Sequence, residues 1–131
     1  MPTVRQETLI HVSPEKAWAA IRDVGAFHRL VPGLTADTKM EGNERTLVLA
    51  DGSTVKERIV SLDEEERRLV FAVQEGRMPL IHHNASFQIL PDSEGNSRFV
   101  WVTDFLPAEL TSMLQGQAER VSEVIKQTLE A

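Results

Sequence analysis

Two adjacent histidines, His82 and His83, lie in the apolar stretch PLIHHNASFQIL, which spans residues 79–90. Imidazole side chains can bind a metal ion, transfer protons or form a directed hydrogen bond in a pocket. If this stretch is a strand, neighbouring side chains point to opposite faces, so the two rings cannot readily chelate one metal ion. His83 shares its parity with the apolar Ile81 and Phe87, which predicts that His83 faces inward and His82 faces solvent.

The role of an inward His83 stays open between two hypotheses. It is either a core or pocket-edge residue, hydrogen-bonded to a backbone carbonyl or a water molecule, or a residue that contacts a ligand. For His82 we expect a surface position. No metal site is expected, because the chain has no set of Cys, His and Asp at metal-ligand spacing.

Glu57, in the run STVKERIV, is the second residue that could do chemistry, because it shares a strand face with Val55 and Ile59. A carboxylate on an apolar inner face must be paired, hydrated or protonated, since an isolated buried charge is strongly unfavourable. Arg45, on the preceding predicted strand, is the candidate partner. The pair is interpreted either as a structural or rim ion pair or as a ligand anchor.

Length and charge limit what these residues can do. The 131 residues suit one domain with a real core, and no linker or repeat divides them. The net charge of −6 argues against a duplex-DNA binder, which needs clustered Lys and Arg. The chain has no cysteine, no apolar run long enough to cross a bilayer and no signal-peptide pattern. We therefore expect a cytoplasmic protein without disulfides.

The order of elements is strand, two short helices, six strands and a long helix. TVRQETLIHV, residues 3–12, is typical of a strand, and Ser13 followed by Pro14 predicts the start of a helix. From 35 to 106 the apolar period is two, as in strands. The run DEEERR, residues 63–68, predicts a solvated hairpin tip. Turn signals separate the strands at Gly42-Asn43, Asp51-Gly52, Asp63-Glu64, Glu75-Gly76 and Asp92 to Asn96.

The last strand and the terminal helix carry the predicted core. Phe99, Trp101, Thr103 and Phe105 share one strand face, which should point inward. Gly116 is unfavourable in a helix by roughly 1 kcal/mol relative to Ala, so close packing or pocket volume is expected there. The helix, predicted over 109–129, should lie on the sheet and presents one stripe: Leu110, Met113, Leu114, Gln117, Val121, Val124, Ile125 and Thr128.

Beside the order of elements, one ordered set of residues is informative: Pro14, Trp18, Asp23, Pro32-Gly33, Gly42, Arg45, Gly52, Glu57, Asp63, Gly76-x-x-Pro79, Trp101, Phe105 and Pro107. Together they resemble the START and birch-pollen-allergen-like (SRPBCC) superfamily, in particular its bacterial polyketide cyclase/dehydrase branch. The resemblance covers nearly the whole chain. It implies a single domain over 1–131 with a helix-grip fold: a curved, seven-stranded antiparallel sheet around a long C-terminal helix, an α+β architecture with an internal cavity.

For function, the resemblance implies a pocket for a small, largely apolar ligand such as a lipid, sterol, hormone or polyketide, but it does not imply catalysis. The first alternative is an enzyme of the cyclase, dehydratase or isomerase type, in which Glu57 or His83 moves protons while Arg45 or Gln117 polarises a carbonyl. The second is a protein-interaction domain whose cavity is filled by its own side chains.

The expected partner is a small hydrophobic molecule, with no cofactor, nucleic acid or membrane insertion, and a homodimer stays open. Inward parity, the helix stripe and the resemblance together predict a ligand-binding set. Its members are Val55, Glu57, Ile59, Phe71, Val73, Ile81, His83, Phe87, Phe99, Trp101, Thr103, Phe105, Met113, Gln117 and Val121.

Overall fold

Seven strands and three α-helices follow one another in the order that the sequence predicts. The structure, a computed structural model, describes residues 1–131. Short 3-10 turns at Val24–Ala26 and Ala108–Leu110 precede the second and third helices. The elements are β1 (Thr3–Ile10), α1 (Pro14–Arg22), α2 (Phe27–Leu30), β2 (Thr35–Glu41), β3 (Glu44–Leu49), β4 (Thr54–Asp63), β5 (Arg68–Glu75), β6 (His82–Pro91), β7 (Ser97–Leu106) and α3 (Thr111–Glu130).

The strands form one antiparallel sheet in the order β1-β7-β6-β5-β4-β3-β2. Strands β2 to β7 form a meander in which each strand pairs with the next one in the sequence, whereas β1, the first strand, pairs with β7, the last. The two hairpins nearest the β2 edge turn at Gly42 and Gly52, whose φ angles of +60° and +88° are left-handed conformations that glycine adopts without strain. The predicted curved antiparallel sheet is confirmed.

The first helix begins where the sequence predicts. The Ser13 side chain accepts a hydrogen bond from the backbone N–H of Lys16 at 3.2 Å, and Pro14 occupies the first turn. The helix buries Trp18 and Ile21 on one face, where they join the core. This capping fixes how the chain leaves β1 and enters the pair of short helices.

The turn between β4 and β5 is exposed, as predicted for DEEERR, but the side chain of one of its glutamates binds to α1. Glu64 accepts a hydrogen bond from Nε1 of Trp18 at 2.7 Å and forms an ion pair with Arg22 at 2.6 Å. The Arg22 guanidinium, followed by the Trp18 N–H, lowers the pKa of the Glu64 carboxyl. The hairpin tip therefore contributes to the packing of α1 instead of being purely solvated.

The terminal helix lies against the concave face of the sheet, as predicted, but its buried stripe differs from the sequence stripe. Met113 is 56% exposed, while the small residues Ala118 and Ser122 are fully buried. Small side chains let the helix approach the sheet closely, which a pattern weighted by hydrophobicity does not detect. The Ser122 hydroxyl is buried without a hydrogen-bond partner. The buried stripe consists of Leu110, Leu114, Ala118, Ser122, Ile125 and Leu129.

No helix in the structure has the length and apolar character needed to cross a membrane.

An aromatic cluster fills the centre of the concave face. The ring of Phe87 on β6 meets three others edge to face, with centroid distances of 4.9 Å to Phe71, 5.0 Å to Phe99 and 4.9 Å to Trp101. The indole N–H of Trp101 donates to Oγ1 of Thr103 at 2.9 Å, which satisfies both polar groups inside the core. The inward-facing row predicted on β7 is buried throughout.

Candidate functional site

A cavity of about 430 Å³ lies between the concave face of the sheet and the helices. Its walls come from α2, the loop that follows it, strands β2 to β7 and α3. Of the 25 residues that line it, 15 are hydrophobic, so the cavity suits a mostly apolar molecule.

Eleven of the residues singled out in the sequence lie around this cavity, although whether they bind a ligand stays a prediction. They come from β3 to β7 and from α3, which shows that strand parity selects the inner face of a curved sheet well. These residues are Arg45, Val55, Glu57, Phe71, Val73, His83, Phe87, Trp101, Met113, Gln117 and Val121.

Five predicted residues do not line the cavity. Phe99, Thr103 and Phe105 face inward, but other core side chains cover them, so they border no open space. Ile59 packs against the same core from β4. Ile81 is 78% exposed, because β6 begins only at His82 and the alternation of strand faces does not extend back to it.

The sequence pattern did not identify the cavity residues in loops and turns, and it also left out several that lie in strands or in α3. Leu47 and Leu49 share the parity of Arg45, so this signal was present in the sequence. Residues in turns and loops carry no periodic signal, and only the folded chain brings them together. The missed residues are Phe27, Val31, Leu34, Thr35, Leu47, Leu49, Ser53, Thr54, Gly76, Arg77, Met78, Leu80, Leu114 and Arg120.

Gly116 has neither of the roles predicted for it. A Cβ added at this position would meet nothing within 4 Å, so close packing does not require glycine. The residue is also not part of the cavity wall. Nothing in the structure explains why glycine stands there.

The polar groups of the cavity form a row across four strands. Arg45 on β3 pairs with Glu57 on β4, and Glu57 in turn pairs with Val73 on β5. The backbone N–H of Val73 then donates to Nδ1 of His83 on β6 at 3.0 Å. Directly opposed residues of antiparallel strands share a face, so the side chains of this row point into the same space.

Arg45 and Glu57 form a buried ion pair at one end of this row. Nε and Nη2 of Arg45 each lie 2.8 Å from Oε1 of Glu57, and Nη1 donates to the carbonyl of Val24 at 3.3 Å. The guanidinium lies between two rings, 4.9 Å from the centroid of Phe27 and 5.4 Å from that of Phe71. The Arg45 side chain is only 1% exposed, so its charge is committed to this pair and these rings.

Glu57 keeps one carboxylate oxygen free. Both short contacts from Arg45 go to Oε1, while Oε2 has no hydrogen bond from the protein and is not fully buried. Burial raises the pKa of the Glu57 carboxyl, and the Arg45 guanidinium offsets part of that rise. Since Glu57 lines the cavity, Oε2 can accept a hydrogen bond from a bound molecule or exchange a proton with it.

His83 faces the cavity and His82 is exposed, as their parity predicts. Nδ1 of His83 accepts a hydrogen bond from the backbone amide of Val73, a partner that the sequence did not predict. The cause lies in the sheet: the β5–β6 ladder ends at Phe71 and Ala85, which leaves the Val73 N–H without a strand partner. A neutral ring that accepts at Nδ1 carries its proton on Nε2.

Burial, followed by the charge of His82, lowers the pKa of His83 to about 4. His83 is therefore neutral at physiological pH and can offer one N–H to the cavity. No three His, Cys, Asp or Glu side chains are grouped closely enough to hold a metal ion.

The His83→Asn variant tests this pKa through stability. A histidine with a folded pKa of about 4 and an ordinary value of 6.5 stabilises the fold fully above pH 6.5, and this contribution is lost as pH falls through 4. We expect the free energy of unfolding of the wild type, minus that of the variant, to fall by about 2 kcal/mol between pH 7 and pH 4 after allowing for partial solvation. Guanidinium titrations at several pH values measure it.

His82→Asn is the matched control, since it removes an exposed imidazole one position away. Its stability difference from the wild type should stay nearly constant over the same pH range. A His83→Asn difference that is equally flat would contradict the neutral, amide-bonded imidazole.

Comparison with solved structures identifies the same fold in proteins of low sequence identity. An uncharacterised protein from Bacillus thuringiensis matches with a TM-score of 0.92 and 20% identity over 99% of this chain and 100% of its own. Norcoclaurine synthase from Thalictrum flavum, in complex with dopamine and hydroxybenzaldehyde, matches with a TM-score of 0.74 and 16% identity over 96% of this chain and 84% of its own.

The di-domain ARO/CYC BexL matches with a TM-score of 0.87 and 13% identity over 99% of this chain and 47% of its own. At these identities the likeness concerns the fold alone. No curated protein matches the sequence. The model of one family, described as polyketide cyclase / dehydrase and lipid transport, matches residues 1–131. Because that match spans the whole chain, the chain belongs to the polyketide cyclase/dehydrase and lipid transport family, within the superfamily that its sequence resembles.

Proposed function

We propose that this protein binds a small, largely apolar molecule in the cavity between the sheet and α3. The observation that carries the proposal is the cavity itself: about 430 Å³, with mostly hydrophobic walls and its buried polar groups gathered in one row. Small-molecule sites typically measure about 300–1,000 Å³ and combine apolar walls with a few placed polar groups. The dimensions and the lining both fit that class.

The polar row gives such a ligand an orientation. Oε2 of Glu57 can accept one hydrogen bond, and Nε2 of His83 can donate one. The aromatic edges of Phe71 and Phe87 lie beside these groups and supply apolar contact. A flat molecule with one or two hydroxyl or carbonyl groups would satisfy this arrangement better than a plain hydrocarbon.

Open volume in the interior argues against the hypothesis of a filled cavity. A domain that serves only as a protein partner has no need of an internal space, and unfilled core volume lowers stability. The family description, which includes lipid transport, also supports binding of an apolar molecule.

An acid–base enzyme is the second candidate, and one observation favours it. Glu57, with its pKa raised by burial and one oxygen free, is suited to exchange a proton with a bound substrate. Arg45 does not suit the carbonyl-polarising role considered for it, because its guanidinium is enclosed by Glu57 and two rings. Gln117, which lines the cavity and whose amide makes no hydrogen bond within the protein, suits that role better.

A neutral apolar fluorescent probe, N-phenyl-1-naphthylamine, tests the proposal. We expect low-micromolar affinity for the wild type and a loss of at least about ten-fold for Gln117→Trp, because the indole would occupy cavity volume. Gln127→Trp is the matched control, since Gln127 is exposed on the same helix and lies outside the cavity. Equal affinity in wild type and Gln117→Trp would contradict binding in this cavity.

Native mass spectrometry of the freshly purified protein complements the probe. It reports the mass of any molecule that co-purifies and the oligomeric state in one measurement. If that molecule is returned unchanged after incubation, the result supports binding alone, whereas a product of altered mass supports the enzyme candidate.

A further inference from the structure

The opening of the cavity carries two arginines. Five cavity residues are also exposed and define this opening: Thr54, Gly76, Arg77, Met113 and Arg120. Two of the five are arginines, in a chain whose net charge is −6.

No acidic residue among those that line the cavity neutralises the charge of these two arginines. Glu57, the one acid in the wall, is buried and already paired with Arg45, and His83 is neutral at physiological pH. Arg77 has an exposed partner, Asp51, at 2.8 Å. Arg120 has none, so one of the two guanidinium groups at the opening is without an acidic partner.

Arg120 is the cavity residue with an uncommitted charge. It forms no ion pair or hydrogen bond, although acids lie beside it on α3. Glu119 instead accepts from the neutral amide of Gln115 at 3.0 Å and Glu123 from that of Gln127 at 3.3 Å, so neither carboxylate forms an ion pair with Arg120. Arg120 is thus a free guanidinium at the edge of an apolar cavity.

A second unpartnered donor lies on the same wall. The Gln117 amide precedes Arg120 by three positions on α3, lines the cavity and makes no hydrogen bond within the protein. Residues three apart on a helix are neighbours on its surface, so both groups can reach the same ligand atoms. A guanidinium and an amide N–H together match the two oxygens of a carboxylate.

We propose that the ligand is an amphipathic carboxylic acid, with its carboxylate at the opening beside Arg120 and Gln117 and its apolar body inside. This inference rests on the proposed function and adds the ligand class. Arg77, on the loop between β5 and β6, lies at the same opening, where its charge is paired with Asp51. The apolar body then extends toward the aromatic rings and the row of Glu57 and His83.

The matched pair of cis-parinaric acid and its methyl ester tests this class, because esterification replaces the charged carboxylate by a neutral head group and leaves the apolar chain unchanged. We expect the wild type to bind the acid about ten-fold more tightly than the ester, as one charge-assisted contact predicts. Arg120→Gln should lose this preference and bind the acid no more tightly than the ester. Fluorescence titration at low ionic strength measures both.

Arg58→Gln is the charge-matched control, because Arg58 is exposed, unpaired and outside the cavity. It should keep the preference for the acid, which separates a local contact from the effect of net charge. If the wild type binds ester and acid equally, the carboxylate inference fails and the proposed function stands. If neither ligand nor the neutral naphthylamine binds, the proposed function fails as well.

Discussion

Arg45→Ala is expected to lower the free energy of unfolding by about 3–5 kcal/mol at pH 7. The substitution removes the partner of Glu57 and leaves its buried carboxylate without a counter-ion. An uncompensated buried charge costs more than the pair itself contributes, so the loss should exceed the net value of the ion pair. Urea unfolding, monitored by tryptophan fluorescence, measures this change in the free energy of unfolding.

The double variant Arg45→Met with Glu57→Gln tests the origin of that loss. Removing the second charge should recover most of the stability, because the remaining groups are neutral and similar in size. Arg58→Ala, an exposed site on the same pair of strands, should change the free energy by no more than about 0.5 kcal/mol. A double variant as unstable as Arg45→Ala would show that packing, not charge, causes the loss.

Lowering the pH should reduce the difference in free energy of unfolding between Arg45→Ala and the wild type. A carboxyl whose folded pKa lies above its unfolded value stabilises the fold below the unfolded pKa, and this contribution is lost as pH rises through the folded pKa. Burial raises the pKa of Glu57, and loss of Arg45 removes the group that opposes the rise. The variant should therefore approach the wild type in stability as pH decreases from 7.

Phe87→Ala is expected to destabilise the protein by about 3–5 kcal/mol and to change ligand binding as well. Phe87 contacts three other rings of the aromatic cluster and also forms part of the cavity wall. Its truncation joins new space to the existing cavity, so affinity for the naphthylamine probe should fall as wall contacts are lost. Unfolding and probe titrations on one preparation measure both effects.

Phe99→Ala is the control for Phe87→Ala. Phe99 is fully buried and contacts the same cluster, but it does not line the cavity. We expect a similar loss of stability with little change in probe affinity. If the two variants affect probe affinity equally, the probe does not occupy the cavity beside Phe87.

Strand parity predicted the faces of Glu57 and His83 because both stand inside regular strands, where side chains alternate. It could not separate an inward residue that borders open space from one that other side chains cover. Phe105 faces inward as predicted, yet the core covers it. That distinction depends on where α3 and the loops pack on the sheet. The alternation of side chains along one strand does not encode these positions.

Other parts of the site depend on how distant segments meet. The partner of His83 is a backbone amide that is free only because the β5–β6 ladder ends two residues earlier, a matter of register between strands. Arg77 and Leu80 belong to the connection between those strands, which has no periodic pattern. The sequence therefore predicted the sheet, the final helix, the Arg45–Glu57 pair and the inward face of His83, but not the partner of His83 or the opening.

The pairing of β1 with β7 has a consequence for how the chain reaches its native state. Thr3 is matched with Asp104, 101 positions later, so the first strand has no partner until nearly the whole chain has been synthesised. The hairpins of the β2–β7 meander join close neighbours and can form early, whereas closure across so many residues is slow. Because β7 is the last strand to be synthesised, β1 stays unpaired until β7 emerges, and α3, which packs against β1, follows. The cavity is thus a late product of folding.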